Sequence, residues 1–422
     1  MPGGHHGLRR LLGGVAWIGI SGVCARSVAF AASIALAHTL GPADFGVLAF
    51  GLSVAVVFSA CASLGLDELI VREVARQTRA SGAIFADALV LRLCAVPLGV
   101  GGALLLASIY HIDLGLSLVL ASYAVLNSYL LSACAAFRGR GRMHVHALLI
   151  GGQALLISAS ATLLALLTGA VGTVTAAYAA STGAIVVAAY CLLSWTGAQP
   201  RFGWRPRAWL SLARSSAPFA LGGIGLLALD RLALSAITLV CGPQAAGWFG
   251  AAQAIVLALS GAATTATLVA FPHLARTVVH DPRAASVLAV DLLALALVLG
   301  VASCIGLYFL APVLVPMLFG PEYVASTAIM QRIAFSVPSI FVTIVLVGAF
   351  EATDRQSISA VTIAAAVPVA AVLCMGATWL WGYTGGAAAY SASHAVLAAM
   401  LLARWFVPPG SVRWTNRVLV VD

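Results

Sequence analysis

The 422-residue chain contains no lysine, and charged residues make up 8% of it while hydrophobic residues make up 62%. A soluble protein carries about 25% charged residues, so the composition predicts an integral membrane protein. Because a P-loop needs a lysine to bind nucleotide phosphates, the absence of lysine excludes a transporter that powers itself as a P-loop ATPase. The eight cysteines form no CxxC pair, and we expect them to be small buried hydrophobic residues.

Catalytic motifs are also missing. The sequence has no HExxH motif, and the connections between its apolar segments are too short to hold an inserted catalytic domain. This argues against a lipid-linked sugar polymerase or ligase and predicts a protein that is not an enzyme and has no metal or cofactor. The net charge of +9 does not indicate nucleic-acid binding, because loop cations orient a membrane protein and meet anionic lipids.

Twelve apolar segments are long enough to cross a membrane, for which a helix needs about 20 residues. We expect them at residues 12–38, 45–66, 83–108, 115–136, 147–168, 172–194, 215–241, 246–270, 286–310, 325–350, 357–381 and 384–406. These segments predict an all-α, multi-pass membrane protein. After the second segment, residues 67–82 have the charge pattern of a short helix at the membrane surface.

The arginines alternate between the connections. Of the 22 cationic residues, 18 lie at the two ends and in every second loop, and the intervening loops hold none. By the positive-inside rule, both termini are predicted to be cytoplasmic, as in a multi-pass protein of the bacterial cytoplasmic membrane. An error of one span in the count would destroy the alternation, which therefore supports twelve spans.

The chain repeats a turn motif. The pattern G-P-x-x-x-G occurs at Gly41, Pro42 and Gly46 and again, 201 residues later, at Gly242, Pro243 and Gly247. Six spans separate the copies, so both have the same orientation and predict two parallel six-helix repeats around a central cavity. We expect the halves at 1–194 and 215–406, a cytoplasmic linker at 195–214 and a cytoplasmic tail at 407–422. The six motif residues would act as gating turns.

Four arginines, Arg26, Arg92, Arg231 and Arg332, lie within apolar segments. A cation at mid-bilayer costs at least about 2.5–3.5 kcal/mol, so each is expected to face a cavity or a partner. Small and hydroxylated residues share their helical faces, which favours a water-filled cavity. Relative to the two Gly-Pro turns, Arg26 and Arg231 differ by four residues, so they lie on the same face of their repeats, one helical turn apart.

Three interpretations of these arginines remain open, and the third, extension of the side chain to the membrane surface, suits Arg332 better than Arg26. In the first, each arginine pairs with an acid and serves packing, and Asp87, Asp230 and Asp291 are the candidate partners. In the second, they line the cavity and bind an anion, because the guanidinium fork donates two parallel hydrogen bonds to phosphate and keeps its charge. Asp87 and Asp230 would then balance the charge or bind a coupling H⁺ or Na⁺. Besides H⁺ and Na⁺, the membrane potential could supply the energy for transport.

Other polar residues in the spans have simpler expected roles. Arg332 is predicted to begin a polar stripe that continues through Ser336, Ser339 and Thr343. We interpret His394 as a core histidine, with a proton relay as the alternative. Interhelical hydrogen bonds are expected for three amide side chains, those of Asn127, Gln153 and Gln253.

Several short motifs together resemble one family. The run LAHTLGPADFG at 36–46 has the pattern L-G-P-x-x-F-G, and GLDELIVREVAR at 65–76 has G-L-x-x-x-x-x-R-x-x-A. Asp230-Arg231 in the seventh span and LFGPEY at 318–323 before the tenth resemble the same family. These motifs resemble the polysaccharide biosynthesis flippases, the O-antigen-type (Wzx-like) members of the multidrug/oligosaccharidyl-lipid/polysaccharide exporter (MOP) superfamily.

The resemblance implies a V-shaped bundle that moves an undecaprenyl-pyrophosphate-linked oligosaccharide from the cytoplasmic to the outer leaflet by alternating access. Such a flippase would serve the synthesis of a surface polysaccharide, such as O-antigen or an exopolysaccharide. Arg26, Arg231 and Arg332, together with Arg92, would contact the pyrophosphate or acidic sugars. Membrane lipids, and the polymerase and glycosyltransferases of the same pathway, would be its partners.

Three alternatives remain. A cation-coupled multidrug antiporter of the same superfamily would use acids in its cavity, whereas arginine predominates here. A major-facilitator-type transporter shares twelve spans and parallel halves, but residues 65–79 lack the central glycine of that class's loop motif. The third is a membrane-embedded scaffold for a glycan synthesis complex, which would not need arginines inside the membrane.

Overall fold

The computed structural model describes residues 4–75, 81–110, 113–195, 206–280, 282–353 and 355–406. All regular structure in these residues is helical. The helices are α1 (Gly4–Ser63), α2 (Leu66–Ala75), α3 (Ser81–Ile109), α4 (Leu114–Gly139), α5 (Met143–Thr168), α6 (Val171–Trp195), α7 (Pro206–His280), α8 (Pro282–Phe319), a 3₁₀ helix (Pro321–Tyr323), α9 (Ala325–Ile333), α10 (Ser336–Ala352) and α11 (Gln356–Phe406).

Three helices are interrupted and contain two spans each. The breaks lie at Gly41 in α1, Gly242 in α7 and Trp381–Gly382 in α11, where the backbone leaves the helical conformation. The short helices α9 and α10 form one span with a bend of 43°. Together with α3, α4, α5, α6 and α8, the described helices confirm the twelve predicted spans. The predicted surface helix after the second span is present as α2.

The backbone confirms the predicted repeat. Gly41 has φ 73° and ψ 171°, and Gly242 has φ 84° and ψ 178°. Only glycine adopts such angles without strain, so each half begins with two spans joined by the same turn. Gly320, with φ 90° and ψ 173°, begins a third turn of this type, which the repeat had not predicted.

The bundle has two distinct ends. The turn end contains the glycine breaks. Gly41 lies near the Glu322 carboxylate there, because a Cβ built on the glycine would be 3.7 Å from Oε2 of Glu322. The arginine-rich end contains the loop arginines whose side chains are described, including Arg138, Arg355 and Arg404. There, the Arg355 guanidinium donates to the carbonyl of Arg404 over 3.1 Å. The grouping follows the predicted alternation, and the cytoplasmic location of the arginine-rich end stays a prediction.

The predicted linker is only partly described. Residues 196–205 and the predicted tail at 407–422 lie outside the described residues. From Pro206 onward, the linker is the first part of α7. Trp209 there donates its indole N–H to the Asp87 carboxylate of α3 over 2.9 Å, and Leu212 packs against the core of the first half. The first turns of α7 therefore rest on the opposite half.

The described residues place a hydrophobic core that the two halves share near the turn end. That core joins Leu36 and Phe45 of α1 to Phe249 of α7 and Tyr390 of α11. Toward the arginine-rich end, each half has a separate core. Apolar burial thus holds the halves together at the turn end, and the first turns of α7 join them at the arginine-rich end.

Candidate functional site

Two glycines bring the halves into backbone contact at the turn end. A Cβ on Gly46 would overlap the carbonyl oxygen of Pro243 and lie 2.7 Å from the nitrogen of Gly247. A Cβ on Gly247 would overlap the carbonyl oxygen of Pro42 and lie 2.8 Å from the carbonyl carbon of that proline. The contact is reciprocal between the repeats, and it requires glycine at both positions. The two Gly-Pro turns therefore meet each other at this end, and their gating role stays a prediction.

Hydrogen bonds across the halves reinforce the closure. The Tyr323 hydroxyl donates to the carbonyl of Ala37 over 3.1 Å, and Tyr323 is 1% exposed. His38 Nε2 lies 2.9 Å from the carbonyl oxygen of Leu318. In both contacts, α1 of the first half meets residues at the third Gly-Pro turn of the second half.

Arg26 spans a seam between the halves. Its side chain is exposed on α1 and lies over Gly261 of α7, where a Cβ would be 2.8 Å from Arg26 Nη1. At 1.5 Å per residue, Arg26 is about 22 Å from the turn at Gly41. A guanidinium at this place can bind an anion where α1 meets the second span of α7.

Arg231 lies on the first span of α7, about 16 Å from the turn at Gly242, and is therefore closer to its turn than Arg26 is. It is partly exposed, and within the described part of the chain its Nε is buried without a hydrogen-bond partner. It interacts electrostatically with Tyr123 of α4 and with Tyr390 of α11. Because α4 belongs to the first half and α11 to the second, the charge of Arg231 acts on side chains of both halves.

Asp230 forms a second polar contact beside Arg231. Its Oδ1 lies 3.1 Å from Nε2 of His394, an ion-pair distance, although the ring is not oriented for a hydrogen bond. His394 is 2% exposed and its ring packs against Tyr390 with centroids 4.6 Å apart. The buried location agrees with the core interpretation, but the contact with Asp230 was not predicted, because the two residues lie on α7 and α11 and share no sequence motif.

Arg92 and Asp87 are not brought to this interface. Arg92 is 0% exposed, and its guanidinium binds the Asp67 carboxylate of α2 and the Ser128 carbonyl of α4. Burial raises the pKa of the Asp67 carboxyl, and the guanidinium of Arg92 counteracts that shift by favouring the charged form. Asp87 accepts from Trp209. The sequence does not indicate Asp67 as the partner, because a surface helix such as the one that carries it is not predicted to reach inward.

Arg332 is exposed on α9 and bonds to its own helix. Its Nη1 donates to the carbonyl of Ala328 over 2.9 Å, and its own carbonyl accepts from the Ser391 hydroxyl over 2.7 Å. The structure does not join it to Arg26 or Arg231, and its contact with a substrate stays a prediction.

The predicted polar stripe that begins at Arg332 is wrong. Ser336 and Thr343 are buried, whereas Arg332 is exposed, and the span bends by 43° between α9 and α10. Pro338 explains the bend, since it has no N–H for the carbonyl of Ala334 and its ring would clash with that carbonyl in a continuous helix.

The predicted interhelical amide bonds are confirmed. In the first half, Gln153 donates to Asn127 over 3.1 Å and to Thr182 over 3.2 Å, and Asn127 donates to Ser59 over 3.0 Å. In the second half, Gln253 donates to the carbonyl of Asp230 over 2.8 Å. These bonds fix the helices behind the interface, where unpaired amides would be costly in a membrane.

Comparisons with known proteins agree with this architecture. The family model described as "Polysaccharide biosynthesis protein" matches residues 11–278, more than half of the chain. No curated protein matches the sequence significantly. The family match sets aside the major facilitator alternative.

Several solved structures share the fold at low identity. The lipid II flippase MurJ in an inward closed conformation is similar with a TM-score of 0.75 and 12% identity, covering 92% of this chain and 87% of that one. An inward-facing multidrug resistance MATE family transporter gives 0.69 and 14%, covering 90% and 94%. An outward-facing one gives 0.63 and 13%, covering 93% and 94%. The chain therefore belongs to the polysaccharide biosynthesis protein family and has the twelve-span fold of the MOP-superfamily transporters.

Proposed function

We propose that this protein is a flippase that carries a pyrophosphate-linked oligosaccharide on an undecaprenyl lipid from the cytoplasmic to the outer leaflet by alternating access. One observation carries the proposal: Arg26 and Arg231, from opposite halves, both lie at the interface between the halves while the turn end is closed. Arginine suits a pyrophosphate because its fork binds two oxygens and stays charged.

The two arginines suggest a path for the headgroup. Arg26 lies at the seam between α1 and α7, about 6 Å further from the turns than Arg231. The headgroup would enter from the lipid at Arg26 and move inward to Arg231, while its lipid tail stays in the bilayer. Opening the turn end would then release it on the other side.

The membrane potential would drive this movement in the proposed direction. Moving one elementary charge through 100 mV is worth about 2.3 kcal/mol. A pyrophosphate headgroup with two negative charges would therefore gain about 4.6 kcal/mol on leaving a cytoplasm that is negative by 100 mV. No bound cofactor is needed for this step.

A coupling ion, if the protein uses one, would bind at Asp230 and His394. The carboxylate and imidazole lie 3.1 Å apart, and both groups can hold a proton. Arg231 and Tyr390 lie beside the pair, so protonation here would change the charge next to the anion site. Asp230 would then serve proton coupling in preference to Na⁺ binding.

The protein would act in the bacterial cytoplasmic membrane, with its arginine-rich end inside. Exposed Arg140 and Arg142 at that end would meet anionic lipid headgroups. The polymerase and glycosyltransferases of an O-antigen or exopolysaccharide pathway would make and use its cargo.

A transport assay tests the proposal. Proteoliposomes would contain the protein and a labelled undecaprenyl-pyrophosphate-linked oligosaccharide, with a potential applied across the membrane. Arg26→Ala and Arg231→Ala should each reduce flipping about 10- to 150-fold, the equivalent of one lost hydrogen-bonded charge contact. Lysine at either position should restore part of the rate. Arg142→Ala, which removes an exposed loop arginine, is the matched control.

If both alanine variants were present at normal levels and flipped the glycolipid at the rate of the wild type, the assignment of Arg26 and Arg231 to the anion site would be contradicted. Failure of the wild type to move the glycolipid, combined with efflux of cationic drugs, would instead support the multidrug alternative. That alternative draws on the fold of the MATE relatives, whereas the arginines between the halves favour an anion.

A further inference from the structure

Two tyrosines of the first half form an aromatic pair near Arg231. Tyr123 of α4 and Tyr178 of α6 pack edge to face, with ring centroids 5.7 Å apart and planes at 87°. Both side chains are partly buried. Within the described part of the chain, neither hydroxyl forms a hydrogen bond, and neither hydroxyl oxygen is an unpaired atom fully enclosed by the protein. The phenols therefore offer donors and acceptors that the protein itself does not use.

The pair and Arg231 lie at similar depth on opposite sides of the interface. Tyr123 is nine residues into α4 and Tyr178 seven into α6, which places them about 14 and 10 Å from the turn end. Arg231 is about 16 Å from its turn. The positive charge of Arg231 acts on the Tyr123 phenol across the two halves.

This arrangement matches the chemistry of a glycosylated pyrophosphate. The sugar attached to the phosphate has apolar C–H faces, which an aromatic ring covers, and hydroxyls, which phenols can bind. We infer that Tyr123 and Tyr178 bind the first sugar of the cargo while Arg231 holds the adjoining pyrophosphate. The inference rests on the proposed flippase function and adds a sugar subsite, so that the protein would distinguish the glycosylated lipid from the bare lipid carrier.

Binding measurements with two probes test the subsite. The protein, in lipid nanodiscs, would be titrated with undecaprenyl pyrophosphate and with the same lipid carrying one hexose. Tyr123→Phe and Tyr178→Phe keep the ring pair and remove one hydroxyl each. Each should weaken binding of the hexose-bearing lipid about 3- to 10-fold, the effect of one neutral hydrogen bond, and leave binding of the bare lipid unchanged. Arg231→Ala should weaken binding of both lipids.

Tyr190→Phe is the matched control. The Tyr190 hydroxyl donates to the carbonyl of Tyr129 over 3.3 Å in the core of the same half, so its loss should alter neither affinity. Equal affinities of the wild type for the two lipids, or an equal effect of the tyrosine variants on both, would overturn the sugar subsite and leave the flippase proposal standing. Failure of the wild type to bind either lipid would overturn both.

Discussion

Replacing Gly247 with alanine is expected to open the turn end. A Cβ at this position would lie 2.8 Å from the carbonyl carbon of Pro42 and overlap its oxygen, whereas carbon atoms pack at about 3.5–4.0 Å. The helices α1 and α7 would have to separate by at least about 0.7 Å. Neither neighbour is a flexible side chain, so the backbones must move. Overpacking of this kind costs about 1–3 kcal/mol, which lowers the closed population about 5- to 150-fold.

Distances between two spin labels would measure the opening. Ala43 and Gln244 are exposed at the two Gly-Pro turns and can carry the labels once the eight native cysteines are replaced. The Gly247→Ala variant should show a larger fraction of long distances than the wild type. Gly223→Ala is the matched control on the same helix, because a Cβ there has no atom within 4 Å.

If Gly247→Ala gave the distance distribution of the wild type and the same melting temperature, the two turns could not be in the contact described. Gly46→Ala must behave in the same way as Gly247→Ala, since both glycines face the carbonyl of a proline in the opposite repeat.

Three further changes follow from the contacts. Asp67→Asn should destabilise the protein by about 3–5 kcal/mol, because it leaves the guanidinium of Arg92 buried without its counter-charge; a large fall in the melting temperature in detergent would show this. Gly261→Val should displace Arg26 from the seam and reduce flipping as much as Arg26→Ala, and additive losses in the double variant would contradict the contact. Tyr323→Phe removes a hydrogen bond between the halves and should favour the open turn end by about 1 kcal/mol, which the same pair of spin labels would detect.

Much of the fold could be predicted because the membrane imposes simple rules on the sequence. Length and apolarity mark the spans, and the alternation of arginines supports their number. The turns at Gly41 and Gly242 could be recognised because a positive φ followed by proline leaves little choice of residue. Their repetition predicted the two halves.

The side-chain partners could not be predicted in the same way. Arg92 pairs with Asp67, and Asp230 contacts His394, through packing of helices that are distant in sequence. Periodicity assigns each residue to a face of its own helix and does not specify which helix lies opposite. At Arg332 the prediction of a polar stripe shared with Ser336 and Thr343 was wrong, and Pro338 bends the span just beyond this residue.

The reciprocal contact of Gly46 and Gly247 has the form of an isologous dimer interface, in which the same surface patch is used by both partners. Two copies of the first half could meet in this way around a twofold axis, as expected if the chain arose from the duplication of a six-span ancestor. Away from the contact, the correspondence is lost: at the same offset of 201 residues, Arg26 corresponds to Leu227 and Arg231 to Phe30. Symmetry has thus been kept where the halves close on each other and has diverged in the residues that face the interface between them.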